Sequence, residues 1–139
     1  MSNRDLYHFA VKRSLQKIGW VITADPLTLE FGEVLVKIDL AAERLIAAER
    51  NGTKIAVEIK SFAGDSAISE FHTALGQCLD YQIMLEVTEP GRELYLAIPV
   101  DAHETFFQTR FARIVLDRYP LKLMVYEPTL EEILEWIPQ

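Results

Sequence analysis

The sequence has 139 residues, half of them apolar, and a formal net charge of −7, so residues 1–139 suffice for one domain but not for two. Such an acidic chain is repelled by nucleic acid at long range, and any DNA contact needs a local basic patch, a metal ion or a partner chain. The single cysteine, and the lack of any apolar run near the ~20 residues of a membrane span, predict a reduced cytoplasmic protein outside the membrane.

The apolar pattern predicts the elements along the chain. Apolar residues at helical spacing indicate helices, and short apolar runs between turn signals indicate strands. Asp25-Pro26 indicates a turn, and Asn51-Gly52 is a strong hairpin signal. In chain order, we expect helix 4–18, strands 20–23, 33–41, 44–50 and 53–62, helix 67–86, strand 93–99, helix 101–118, strand 121–126 and helix 129–136. This order predicts an α/β protein of the α+β type, with a mixed sheet flanked by helices.

The predicted strand 53–62 carries two charges inside an apolar run. Side chains alternate along a strand, so Glu58 and Lys60 point to one face together with Ala56, while the alternate positions are all apolar. One interpretation is a solvent-facing ion pair on a half-exposed strand. Ala56 on that face and the apolar alternate positions instead indicate a strand covered on both faces. An unpaired charge there costs several kcal/mol, and proteins usually accept such a cost at functional sites. The E-x-K pattern is therefore a candidate catalytic motif.

Further carboxylates precede the predicted hairpin. With a two-residue turn at Asn51-Gly52, Lys60 lies opposite Glu43, which shares a face with Glu58. Asp39 is on this face too, but ~13 Å further along, unless a bulge or a bend brings it closer. The first carboxylate therefore stays open between Asp39 and Glu43. Carboxylates with open water positions are typical ligands of Mg²⁺ or Mn²⁺, which makes Asp39, Glu43 and Glu58 the candidate metal ligands.

A carboxylate before a hairpin, followed by E-x-K on the next strand, resembles the PD-(D/E)XK nuclease superfamily. Residues 77–81, QCLDY, add the Q-x-x-x-Y pattern that RecB-like members carry on the following helix, and Gln77 and Tyr81 share a helix face because they are i, i+4. The resemblance implies a restriction-endonuclease-like αβββαβ core. The catalytic set that it implies is Asp39 or Glu43, Glu58, Lys60, Gln77 and Tyr81.

Nearly the whole chain also resembles the XisH family, the cyanobacterial fdxN-element excision controlling factors. This family is linked to excision of a DNA element during heterocyst differentiation, beside a site-specific recombinase and a companion protein, XisI. The resemblance implies these partners, and we also consider DNA and a second copy of the chain. The stretches that carry it are GWVITADPLTLEF, DLAAERLIAAERNGTKIAVEIKSF, FHTALGQCLDY, LYLAIP and EEILEWI.

Two functions stay open at this point. One is a metal-dependent nuclease that cuts or nicks DNA during excision, which the retained Glu58 and Lys60 favour. The other is a non-catalytic accessory protein that keeps the nuclease fold as a scaffold for an XisI-like companion and controls the recombinase. The acidic charge favours this second function, as does the missing Pro-Asp of the superfamily, since Asp25-Pro26 has the reverse order and lies too early.

Other features give weaker signals. In the first helix, Asp5 and His8 could line the site. Three arginines interleave with aromatic residues in the predicted helix 101–118, where an amphipathic helix packed on the sheet is the simpler interpretation and a nucleic-acid face is the alternative. The acidic and apolar segment 130–139 suits a protein interface better than DNA.

Overall fold

Most helices and strands of this protein follow the spacing of its apolar residues, with helices where these residues recur every three or four positions. The computed structural model describes residues 3–44 and 52–138. None of the helices in these two ranges is long and apolar enough to cross a membrane. The elements are α1 (Asn3–Lys17), β1 (Val21–Ala24), β2 (Leu27–Phe31), β3 (Val34–Ile38), β4 (Leu40–Arg44), β5 (Thr53–Ile59), α2 (Ala67–Thr88), β6 (Arg92–Pro99), α3 (Val100–Glu104), a 3-10 helix (Phe106–Gln108), α4 (Arg110–Arg118), β7 (Lys122–Glu127) and β8 (Glu132–Ile137).

Six strands form one mixed sheet in the order β1-β4-β5-β6-β7-β8. The central strands β5, β6 and β7 are parallel, and the outer pairs are antiparallel. Helices supply the crossovers that parallel strands require: α2 joins β5 to β6, and α3 and α4 lie between β6 and β7. The predicted mixed sheet with flanking helices is thereby confirmed. The carboxyl ends of the parallel strands, near Ile59 and Pro99, lie at one edge of this sheet.

Each face of the sheet packs against its own apolar cluster. On one face, Leu15 of α1 is buried in a cluster that contains Val57. On the other face, Phe71 of α2 is buried in a cluster that contains Ala56. Side chains alternate along β5, so Glu58 points to the same face as Ala56, toward α2. The sequence prediction that both faces of this strand are covered is correct.

Strands β2 and β3 form a separate two-stranded ribbon, which the sequence analysis did not predict. Gly32 in its turn adopts a φ of +60°, a conformation that glycine reaches without steric cost. Leu29 and Ile38 anchor the ribbon in the α2-side cluster. The chain then bends at Asp39 and enters β4. This bend brings Asp39 to the end of the β4–β5 pair.

The register predicted for the hairpin is wrong. Glu43 lies opposite Lys54 rather than opposite Lys60. Apolar burial sets the observed register, because Leu40 opposite Val57 buries both side chains against α1. A one-residue slip would turn these side chains to the other face. The turn signal in the sequence therefore does not determine the pairing of the described residues.

The remaining predictions have mixed outcomes. The turn at Asn51-Gly52 and most of the strand predicted over 44–50 fall on residues 45–51, outside the described residues. The helix predicted over 101–118 is divided into three segments, because Thr105 ends α3 and the Thr109 hydroxyl caps α4 by accepting a hydrogen bond from the Ala112 amide. The strand predicted over 33–41 is divided at Asp39 between β3 and β4, which belong to different sheets. The other predicted helices and strands match observed elements to within a few residues, apart from the last.

The helix predicted at 129–136 is wrong. This segment contains strand β8, which pairs antiparallel with β7. Ile133 and Trp136 pack against the α1-side cluster, and the Trp136 ring lies 5.0 Å from the Tyr95 ring. Pairing with an open sheet edge and this packing outweigh the local helical spacing of the apolar residues.

Candidate functional site

Asp39 and Glu58 lie side by side at the carboxyl edge of the sheet. The Asp39 amide donates to Glu58 Oε1 at 3.3 Å, and the Ile59 amide donates to Asp39 Oδ2 at 2.8 Å. Each carboxylate is thus held by the main chain of the neighbouring segment. The second oxygen of Glu58, Oε2, lies 3.7 Å from Lys60 Nζ. The bend before β4 therefore places Asp39, and not Glu43, beside the E-x-K motif.

A cavity of about 440 Å³ opens above these carboxylates. Asp39, Glu58 and Lys60 line its floor, and α2 contributes Gln77 and Tyr81. The two α2 residues share a face because they are one helical turn apart. Five of the six residues predicted from the sequence therefore meet in one polar cavity, on the α2 side of the sheet.

Burial determines the charge state of Glu58. The residue is only 5% exposed, and desolvation raises its pKa from 4.5 to about 7. The Asp39 carboxylate adds to the rise, while the Lys60 ammonium opposes it. Burial also raises the pKa of Tyr81 to about 12, with further contributions from the carboxylates of Glu58 and Asp39. The cavity therefore holds a carboxyl group that exchanges its proton near neutral pH.

Gln77 presents an unused acceptor at the cavity. Its Oε1 atom is buried and has no hydrogen-bond partner among the described residues. Buried polar atoms are nearly always hydrogen-bonded, and an exception asks for an explanation. Since Gln77 lines the cavity, a ligand or a water molecule in the cavity can supply the missing donor.

Glu43 lies at the opposite end of β4 and does not line this cavity. It accepts a 3.3 Å bond from Arg92 Nη2, which also donates to Glu89 Oε1 at 3.1 Å. Arg92 Nη1 donates to the Ile55 carbonyl at 3.0 Å, and the Arg92 residue is 8% exposed. The Glu43 carboxylate thus helps to offset the positive charge of the buried Arg92 guanidinium. The alternative of Glu43 as the first carboxylate of the site has no support in this geometry.

Known proteins resemble this chain over nearly its whole length. The family model described as XisH protein matches residues 1–134. The chain belongs to the XisH family. It is 46% identical to an XisH family protein from Nostoc punctiforme PCC 73102, whose crystal structure aligns with a TM-score of 0.87 over 96% of this chain and 99% of that one. No curated protein matches the chain significantly.

A second solved structure has nearly the same identity and the same TM-score to this chain. A fdxN element excision controlling factor protein from Anabaena variabilis is 48% identical, with a TM-score of 0.87 over 96% of this chain and 99% of that chain. The XisH relationship inferred from the sequence is thereby confirmed. The wider resemblance to PD-(D/E)XK nucleases stays a prediction.

The cavity of this XisH-family chain contains polar residues that the sequence analysis did not single out. Glu70 lies two helical turns before Gln77 on α2, and its Oε2 accepts a 3.2 Å bond from the Gly64 amide. Lys37 lies two residues before Asp39 and brings a second ammonium group to the cavity. The same periods that pair Gln77 with Tyr81 and Glu58 with Lys60 would have indicated both residues.

The first helix contributes Tyr7 and His8 to the cavity wall, while Asp5 is not part of the lining. His8 Nε2 lies 2.7 Å from Asp25 Oδ1, and Lys12 Nζ donates to the other oxygen of Asp25 at 2.8 Å. This hydrogen-bonded group fixes the His8 ring and ties α1 to the turn before β2. Of the two candidates in this helix, the structure supports His8.

The donor set at the cavity suits a hard divalent cation. The described residues contain no group of three or more His, Cys, Asp or Glu side chains that could hold a metal ion. Asp39 and Glu58 instead provide two adjacent carboxylates, and Gln77 provides an unpartnered amide oxygen. Mg²⁺ commonly binds through only one or two carboxylates and keeps several water ligands. The residues present therefore fit Mg²⁺ or Mn²⁺, and they do not fit a fully protein-ligated metal.

Proposed function

We propose that this XisH-family chain is a controlling factor for excision of a DNA element, and that its cavity hydrolyses a phosphodiester bond with Mg²⁺ or Mn²⁺. The description of the Anabaena variabilis relative as an fdxN element excision controlling factor supports the first part. One observation carries the second part: the buried Glu58 and the half-buried Asp39 are adjacent, beside Lys60. Burying charges costs free energy, so a buried carboxylate pair beside a polar cavity favours a chemical role.

The side chains have distinct roles in this proposal. Asp39 and Glu58 would hold the cation through their carboxylate oxygens, and the Gln77 amide oxygen would accept a hydrogen bond from water or substrate. A bound divalent cation lowers the pKa of water and offsets charge on a phosphodiester. Glu58 must be ionised for this role, so both cation binding and activity should increase as the pH rises through about 7.

Lys60 supplies positive charge at the same place. Its ammonium lies 3.7 Å from Glu58 Oε2 at the cavity floor, where it can donate to a phosphate oxygen or orient the attacking water. Because the oxygens around the pentacoordinate phosphorus of the transition state carry more negative charge than those of the ground state, a fixed ammonium favours the transition state. Lys60 is therefore the residue whose loss should affect cleavage most and cation binding least.

We propose that the protein acts in the cytoplasm, together with an XisI-like companion and a site-specific recombinase. A second candidate function is a non-catalytic scaffold that binds the companion and controls the recombinase. Two observations favour this alternative. Within the described residues, no third His, Cys, Asp or Glu side chain joins Asp39 and Glu58 to form a metal-holding group, and the net charge of −7 opposes approach to DNA. The two functions differ in whether the cavity must bind a cation.

Purified protein with labelled DNA and Mg²⁺ or Mn²⁺, alone and with the XisI-like companion, tests the proposal. Wild-type protein should cleave, Lys60→Ala should not, and Lys54→Ala, an exposed position at the other end of β5, should behave as wild type. Absence of cleavage in every mixture, together with no heat of cation binding in calorimetry, would overturn the nuclease proposal. The scaffold function would then hold.

A further inference from the structure

We infer that the outer face of α4 binds a single strand of nucleic acid next to the cavity. This arginine face consists of the exposed residues Arg110, Phe111, Arg113, Ile114 and Arg118. The inference rests on the proposed function only in taking DNA as the substrate. The strand would lie on α4 before it reaches the cavity. Strand binding itself needs neither a metal ion nor cleavage.

The arginines of this face are available for a ligand. None of the three forms an ion pair with any residue in the described ranges. Arg113 donates to the neutral amide oxygen of Gln108 at 2.6 Å, and Asp117 is the one acidic residue in the helix. Several cations elsewhere are instead bonded to carboxylates, namely Lys12, Arg13, Lys60, Arg92 and Lys122. In an acidic protein, an excess of unpaired arginines on one helix is the local basic patch that phosphate binding requires.

Aromatic contacts connect this face to the cavity. Phe62 follows the cavity residues Lys60 and Ser61, and its ring centroid lies 5.2 Å from that of Phe107. Phe107 lies 5.6 Å from Phe71, and Phe71 lies 6.3 Å from Phe111 on the arginine face. This row of rings runs on the α2 side of the sheet, the face to which Glu58 points. Helix α4 therefore packs on the same side of the sheet as the carboxylates of the cavity, with Ala112 in the α2-side cluster.

The apolar residues of the face indicate an unpaired strand rather than a duplex. Phe111 is 49% exposed and Ile114 is 56% exposed, and both lie between the arginines. A duplex offers mainly phosphates to such a helix, whereas a single strand also offers base faces that stack on aromatic side chains and on guanidinium planes. An acidic protein segment would satisfy the same charges, but its carboxylates offer no base faces to stack on the exposed Phe111 ring and the guanidinium planes.

Fluorescence anisotropy with a labelled oligothymidylate of about 16 nucleotides, in EDTA, tests the inference. Arg110→Ala/Arg113→Ala should weaken binding at least ~10-fold, and the slope of log affinity against log salt should become shallower by about 1.4, since each phosphate contact on a single strand contributes about 0.7. Phe111→Ala should weaken binding without changing the slope. The control, Arg13→Ala/Lys122→Ala, removes the same charge from α1 and β7 and should stay within ~2-fold of wild type.

Four outcomes would overturn the inference: no binding by wild type, an equal loss in the control variant, tighter binding of the matching duplex, or displacement by polyglutamate at equal charge concentration. The last outcome would indicate an acidic protein partner. The cation and cleavage assays report separately on the proposed function. A protein that binds the oligonucleotide but never cleaves keeps this inference and loses the nuclease proposal. A protein that cleaves DNA but gives any of these four outcomes keeps the nuclease proposal and loses this inference alone.

Discussion

Replacing Glu58 by glutamine should stabilise the protein at pH 8 when no divalent cation is present. Burial and the Asp39 carboxylate raise the pKa of Glu58 to about 7 in the folded protein. Since the folded state holds this proton more tightly than the unfolded chain, the contribution of Glu58 to stability is fully present below about pH 4.5 and is lost as the pH rises through about 7. Glutamine carries no charge and keeps an oxygen that can accept the Asp39 amide.

The size of the effect follows from the two pKa values. A rise from 4.5 to about 7 corresponds to about 3 kcal/mol once the group is ionised in both states, at ~1.4 kcal/mol for each pH unit. The Glu58 side chain is 7% exposed, so solvent screening reduces this figure little. Domains of this kind are stable by only about 5–15 kcal/mol, and the gain should be readily measurable.

Urea unfolding in EDTA, followed by tryptophan fluorescence, provides the measurement. Wild type and Glu58→Gln should unfold at similar urea concentrations at pH 4.5, and the variant should be more stable by about 3 kcal/mol at pH 8. Glu93→Gln is the control, because Glu93 is an exposed partner of Lys122 and should change stability by less than about 1 kcal/mol at both pH values. An identical pH dependence in wild type and Glu58→Gln would falsify the idea that Glu58 is a strained, buried carboxyl group.

Mg²⁺ or Mn²⁺ should raise the melting temperature of wild type by mass action but not that of Glu58→Ala, and a gain that persists in the variant would place the cation elsewhere. Lys60→Ala should keep or increase the cation affinity measured by calorimetry, because a competing positive charge is gone; a weaker affinity would contradict this role. Arg92→Ala should lower the free energy of unfolding by about 2 kcal/mol, because it removes a guanidinium that donates hydrogen bonds to the Glu43 and Glu89 carboxylates and to the Ile55 carbonyl. An unchanged urea midpoint would refute this. Burial and the nearby Glu58 carboxylate raise the pKa of the Cys78 thiol to about 12, so a thiol reagent at pH 8 should label it only on unfolding; rapid labelling of native protein would count against this.

Local periodicity was sufficient to predict which side chains share a face. Alternation placed Glu58 and Lys60 on one side of β5, and helical spacing placed Gln77 and Tyr81 on one side of α2. The resemblance to the nuclease superfamily predicted that these two faces form one site, and in the structure they line one cavity. Features of this kind depend on neighbours along the chain, and the sequence contains them directly.

Features that depend on distant partners could not be predicted in the same way. The position of Asp39 depends on a bend between a ribbon that packs on α2 and a strand that packs on α1, and no local pattern encodes that bend. The turn signal at Asn51-Gly52 predicts a register that brings Glu43 opposite Lys60, whereas burial of Leu40 and Val57 sets the observed register. Likewise, the segment around Trp136 has helical spacing but becomes a strand at the open edge of β7.

The two site carboxylates also close the end of the β4–β5 pair. The Ile59 amide donates to Asp39 and the Asp39 amide donates to Glu58, so side-chain oxygens replace the main-chain acceptors that a longer ladder would offer. Substitutions at Asp39 therefore divide into two kinds. Asp39→Ala removes the acceptor, and hydrogen exchange at the Ile59 amide should accelerate as the strand end frays. Asp39→Asn keeps a carbonyl at that position, so the amide should stay protected while the negative charge is lost, which separates the anchoring of the strand from the binding of a cation.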